Sequence, residues 1–139
     1  MSREIVVLTD VALITCIVQR GNADAIVAAA QSAGAQGATV HFGRGSGVRE
    51  RLGILGVAVE VEKEIVNIVV SSEQVDRVFN AMYLAGNLDT PGMGIMYVTP
   101  LEKAATYIPH DVLERVGERQ DAEIGVVARA IPDFGGQPR

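Results

Sequence analysis

The residues best suited to chemistry stand between Phe42 and Glu64, in the run FGRGSGVRERLGILGVAVEVEKE. Gly43, Gly45 and Gly47 alternate there, a spacing that permits positive φ and leaves backbone N–H groups open to a ligand. Arg44, Arg49 and Arg51 stand among and just after them, and guanidinium groups suit phosphate or carboxylate. Gly53 and Gly56 follow, then an alternating run into the charged cluster Glu60, Glu62, Lys63 and Glu64. This composition describes a long flexible arm with a basic root, rising from one strand and returning into the next. An ordinary glycine-rich hairpin loop with solvated arginines fits the same residues, because such turns far outnumber anion sites.

Other chemistries find less support. Gly45-Ser46-Gly47 lacks the spacing of a hydrolase elbow. No Lys-Ser/Thr follows the glycines as a Walker A loop requires, and their gaps do not match the dinucleotide fingerprint. Glu60, Glu62 and Glu64 form a row that reads more readily as a solvated strand face than as an acid–base pair. His41 has no partner histidine at metal-site spacing, so no metal site is expected. The single cysteine, Cys16, lies in an apolar run and reads as a buried structural thiol. This inventory favours a binding protein over an enzyme.

At 139 residues the chain suits one domain, and 48% hydrophobic against 21% charged residues is apolar for its size. Part of that apolar surface is expected to be buried between subunits. A net charge of −5 with three Phe and three Tyr argues against nucleic acid as a partner. No segment reaches the apolar length that spans a bilayer, and MSREIVVLTD lacks the plan of a signal peptide. A cytoplasmic protein without membrane insertion is expected.

The arm must be positioned by regular elements. Val11 to Gln19 is β-branched and apolar on both faces, as is the strand from Ile65 to Val70, which suggests burial on both sides. Asn22 is placed to cap a helix whose Ala23, Ile26, Val27 and Ala30 share one face, with Gly34 as its stop. Ala38 to Phe42 reads as a second strand, ending where the arm begins. Ser71 and Gln74 have capping-box spacing before a second helix with Val75, Val78, Phe79 and Met82 as its stripe and Gly86 as its end. Asn87 to Gly94 is turn-rich, and Ile95 to Thr99 is a fourth strand closed by Pro100. A shift of 52 positions aligns Asp24 with Asp76, Ile26 with Val78, Ala29 with Ala81, Ala33 with Ala85 and Gly34 with Gly86. Two β-α-β units in tandem predict an α+β, ferredoxin-like split fold with an antiparallel sheet. Beyond it, Leu101 to Tyr107 suits a short helix or an extended return. Asp111 suits a helix cap, Gly125 to Ala130 a late strand, and Phe134 to Arg139 a loose tail. Residues 1–108 are thus expected to form the folded domain, with 109–139 a partly flexible C-terminal extension.

The order strand, helix, strand, Gly/Arg arm, strand, helix, glycine loop, strand resembles the P-II signal-transduction proteins from about Leu13 to Tyr107. The motifs that carry the resemblance are LITCIVQRGNADAIVAAAQSAGAQGATV, the FGRG opening of the arm, EIVNIVVSSEQVDRVFNAM and GMGIMYVTPLEKA. It implies a homotrimer that binds adenine nucleotides in clefts between subunits. The clefts are lined by the base of a T-loop, here Phe42 to about Val59, and by a B-loop, here Asn87 to Gly94. The exposed T-loop then docks onto a target protein such as a transporter or an enzyme. With the arm chemistry, this singles out Gly43, Arg44, Gly45, Gly47, Arg49 and Arg51, together with Gly92, Met93 and Gly94, as ligand-binding residues. The arm lacks the modified tyrosine of the nitrogen-regulatory members, Gly45 replaces their effector-binding glutamine, and the B-loop lacks its usual lysine. Thr106 and Ile108 stand where phosphate-binding arginines are expected. A divergent member with its own small anionic effector (ADP, AMP or ATP), rather than a sensor of 2-oxoglutarate, fits these departures. A CutA-like structural or metal-associated trimer is the alternative, and an enzyme on a phosphorylated metabolite a more distant one.

Overall fold

The structure is a computed structural model that describes residues 3–45, 61–109, 111 and 125–131. The chain divides into two compact units, Ala12–Pro100 and Met1–Val11 with Leu101–Arg139.

The first unit carries β2 (Val11–Gln19), α1 (Ala23–Ser32), β3 (Thr39–Gly45), β4 (Val61–Ser71), α2 (Val75–Ala85) and β5 (Gly94–Leu101). Its sheet has the order β3-β4-β2-β5, with β3 and β4 antiparallel from Thr39↔Asn67 to Gly45↔Val61. Two β-α-β halves interleaved in this order make the ferredoxin-like fold expected from the repeat. The repeat is exact at the helix starts, since Val75 follows Ala23 by 75 − 23 = 52 residues. Ile26 and Val78, paired by the same shift, are both fully buried. Thr15 and Asn67, another such pair, meet across the central strands, where the Thr15 hydroxyl donates to the Asn67 side-chain oxygen at 2.8 Å.

The core fills one face of the sheet. Ile14, Cys16 and Val18 from β2 and Val66, Ile68 and Val70 from β4 pack against Ala23, Ile26 and Ala30 of α1 and Val78 and Met82 of α2. Strand residues two apart share a face and helix residues three or four apart share a stripe, so each element presents one apolar side. Fully burying such a side chain is worth about 1.5–3 kcal/mol. The helices also meet through a polar contact. Arg77, in the first turn of α2, donates from Nε to the Ala33 carbonyl at 2.6 Å. It supplies the cation that the last turn of α1 lacks.

Several local expectations are corrected. β3 does not end at Phe42 but continues to Gly45, because Gly43, Arg44 and Gly45 still pair with Lys63, Glu62 and Val61. On β4 between Ile65 and Val70 only Val66, Ile68 and Val70 are buried, on the side that both helices cover; Val69, on the other side, remains 45% exposed. The capping box is absent: Ser71 belongs to β4, and Gln74 is itself the N-cap, without a side-chain bond. Asn22 occupies the N-cap of α1 but likewise makes no side-chain capping bond. α2 ends at Gly86 through close packing and not through a left-handed turn. Gly86 has φ −85°, and an added Cβ would lie 3.1 Å from Ile26 Cδ1. The left-handed residue is Asn87, at φ 52°. Pro100 does not close β5, which runs on to Leu101, since an edge strand tolerates the missing donor.

The second unit contains a strand that the sequence did not announce, β1 (Arg3–Thr9). It lies between β6 (Ala104–Ala105) and β7 (Gly125–Ile131) in a three-stranded sheet. β1 pairs antiparallel with β7 from Arg3↔Ile131 to Thr9↔Gly125, and with β6 at Val7↔Ala105 and Leu8↔Ala104. The late strand is therefore present, and the stretch after Leu101 is an extended return. The N-terminal strand thus pairs with a strand from the residues expected to form the C-terminal extension. The helix expected after Asp111 and the tail from Phe134 lie outside the described residues. Among the described residues no helix is long and apolar enough to cross a membrane.

Two outcomes follow from this packing. Gly94 begins β5 at φ 147°, and an added Cβ would stand 2.3 Å from the Ile17 carbonyl oxygen, so Gly94→Ala is expected to cost about 2 kcal/mol or more. Gly37→Ala, with nothing within 4 Å of its Cβ, should stay within about 0.5 kcal/mol. Urea midpoints of the two variants check the contrast. Burial raises the Cys16 thiol from its usual 9.0 to about 11. Between these values the unfolded thiol ionises while the folded one keeps its proton, so its contribution to stability falls as pH rises from about 9 to about 11. At pH 8 a thiol reagent should label Cys16 only in denaturant.

Candidate functional site

The candidate site lies at the end of the four-stranded sheet where β2 leaves, β4 enters and the arm is rooted. The turn between β2 and α1 is held there by two acidic residues of β4. Arg20 Nη1 bonds Glu62 Oε2 at 2.9 Å, with both side chains largely exposed. The Gly21 N–H donates to the Glu64 carboxylate. Glu64 is 8% exposed, and its charge sits just ahead of the α1 N-terminus, where the helix dipole favours an anion. The expected row of solvated glutamates is thus corrected in one place. Glu64 points to the helix-covered face and is taken up by a backbone donor, while Glu62, nearer the end of the sheet, pairs with an arginine.

A recess of about 410 Å³ opens beside this turn, lined among the described residues by Arg20, Phe42, Gly43, Arg44 and Glu62. The cross-strand register sets Phe42 opposite Glu64 and Arg44 opposite Glu62, on the face that Val40 shares with Val66. Two arginines against one glutamate leave this lining with a formal charge of 2 − 1 = +1. Phe42 adds an aromatic side chain that is 71% exposed. Guanidinium groups beside an open ring are suited to an anion that carries a planar group.

Of the residues singled out in the sequence, Gly43, Arg44 and Gly45 form the last three positions of β3, and the first two line the recess. Gly47, Arg49 and Arg51 lie outside the described residues. Gly92, Met93 and Gly94 lie in the loop that enters β5, on the opposite edge of the sheet from β3. Gln19 Nε2 donates to the Gly92 carbonyl at 3.2 Å, and the Met93 N–H reaches the Thr90 carbonyl at 3.3 Å. The contacts of Gln19 with this loop and of Arg20 with Glu62 put both glycine-bearing segments at one end of the sheet. Two strands, β2 and β4, separate them. In one chain Gly43–Gly45 and Gly92–Gly94 therefore do not converge.

Sequence reasoning missed Arg20 as a site residue. Its signal was a basic residue directly after an apolar strand, in QRGN, but its position beside Glu62 depends on a strand order that is not local. Among the described residues no group of three or more His, Cys, Asp or Glu side chains could hold a metal ion.

A family model described as nitrogen regulatory protein P-II matches residues 11–110. No curated protein sequence matches the chain. Among solved structures, the chain is similar to Arabidopsis thaliana PII bound to citrate, with 24% identity and a TM-score of 0.54, covering 68% of this chain and 79% of that one. The plant structure shares the fold. With the family model spanning both β-α-β halves, the arm and the loop before β5, the chain belongs to the P-II family.

Proposed function

We propose that this protein is a cytosolic, homotrimeric P-II regulator that binds an adenine nucleotide in clefts between subunits. The bound nucleotide sets the conformation of the 42–59 arm, which engages a target protein. P-II family proteins are regulators and not enzymes, and the citrate bound to the plant protein, a small polyanion, supports an anionic effector here.

One observation carries the reading. Gly43–Gly45 and Gly92–Gly94 stand at the same end of the sheet on opposite edges, three strand spacings or about 14 Å apart. Each edge then offers half a site, and a neighbouring copy supplies the other half. The exposed apolar residues on the sheet face away from the helices supply the surface that joins the copies. Val69 is 45% exposed, and Ile95 (59% exposed) and Tyr97 (45%) alternate with Met96, which packs into the core. In this assembly Arg49 and Arg51 join Arg44 at the phosphates, and the glycines of both loops let backbone N–H groups approach them.

Light scattering should give about 44 kDa, three times 14.7 kDa. A monomer at micromolar concentration would remove the inter-subunit cleft. In calorimetry with AMP, ADP and ATP, at least one nucleotide should bind saturably, and at 100 times its Kd it should stabilise the fold by about 2.7 kcal/mol. Arg49→Ala should lower that affinity at least about tenfold while the mass stays trimeric. Absence of binding by all three nucleotides would refute the adenine-nucleotide reading.

A further inference from the structure

The pair between Arg20 and Glu62 is the weaker of the two ties on its turn. The turn that carries Arg20 is already held by the bond from Gly21 N–H to the buried Glu64 carboxylate. The Arg20 and Glu62 side chains are 72% and 58% exposed, and an ion pair so open to water adds little to stability. Both residues nevertheless line the recess that also holds Phe42, Gly43 and Arg44. A weak pair on a firm backbone anchor is suited to exchange. The guanidinium can change partners without the turn unravelling, because the anchor at Gly21 does not depend on it.

We infer that Arg20 is a ligand-binding residue that gives up Glu62 for the phosphate end of a nucleoside phosphate entering this recess. The inference rests on the nucleotide reading above and adds to it a residue and a counter-ion. Arg20 sits across the recess from the end of β3, so a phosphate there is approached by guanidinium groups from two segments, Arg20 and Arg44. Phe42 offers its ring to the planar part of the ligand. Glu62 is the intrinsic competitor. It holds Arg20 in the empty protein and repels the incoming anion, which sets a threshold on effector concentration. Glu62 is also the second residue of β4, where the arm returns to the sheet, so losing its partner changes the ties at the arm's root. Ligand and arm are then coupled reciprocally: whatever draws Glu62 away from Arg20 tightens the ligand by the same factor.

The test is calorimetry with ADP and with inorganic pyrophosphate on the full chain and three variants, with melting curves to verify that each is folded. Glu62→Gln is expected to tighten ADP by about two- to fivefold, the release of an exposed pair. Arg20→Ala is expected to weaken ADP at least about tenfold. In the double variant the gain from Glu62→Gln should vanish, since no guanidinium remains to be released. Unchanged or weaker ADP binding by Glu62→Gln overturns the exchange. So does a gain of the same size in the absence of Arg20, which would reduce Glu62 to a general negative charge. If ADP binds the unaltered protein and neither single substitution changes it, the nucleotide reading stands and the exchange falls. If pyrophosphate shows the whole pattern and ADP binds no tighter than pyrophosphate, the exchange stands and the nucleotide reading falls. If neither probe binds, both fall.

Discussion

Two helices cannot cover both faces of a four-stranded sheet, and much of the protein follows from that limit. Ile26, Ala30, Val78 and Met82 close over Ile14, Cys16, Val18, Val66 and Ile68, which gives one dry interior. The second face keeps Val69, Ile95 and Tyr97 in contact with water in the single chain. At roughly 25 cal/mol per Å², leaving large apolar side chains wet forgoes stabilisation that association can recover. The polar contact of Thr15 with Asn67 is the exception on this face, a satisfied pair on the sheet's centre line.

The strand order has a second effect, on the site. Interleaving two β-α-β halves puts β2 and β4 in the middle and sends β3 and β5 to the two edges. The segments richest in glycine lead out of β3 and into β5, so they share an end of the sheet but not a side of it. The central strands contribute only through what emerges at that end, namely the Gln19–Asn22 turn and the start of β4. Glu64 and Glu62 hold that turn with unequal firmness, one buried on a backbone donor and one exposed on a side chain. Burial makes the first contact costly to lose, and exposure makes the second easy to exchange.

Much of this was determined by the sequence alone. Helix stripes at Ala23, Ile26, Ala30 and at Val75, Val78, Met82 are local consequences of a 3.6-residue period, and β2 is bounded by its run of apolar residues. The 52-residue shift disclosed the tandem β-α-β plan because duplicated elements keep their turn and packing residues in step. The motifs around the arm and the loop before β5 pointed to the P-II family, which the match over residues 11–110 shows.

Other features were decided only in three dimensions. No local pattern distinguishes Glu62 from Glu64, since both alternate on one strand; which is buried depends on how far α1 and its preceding turn reach over the sheet. Arg20 comes to line the recess beside Glu62 only because β2 and β4 are neighbours, a fact of strand order and not of spacing. β1 escaped notice because its partners, β6 and β7, are about 100 residues or more away in sequence, and the pairing of chain ends leaves no periodic trace. Gly94 read as the last residue of a turn-rich, ligand-binding loop, yet the approach of its Cα to the Ile17 carbonyl gives it a packing reason that only the closeness of β5 to β2 creates. Periodicity and turn chemistry are written into adjacent residues and can be read there. Burial, partner choice and edge position arise from contacts between residues far apart in the chain, and those exist only once the fold has formed.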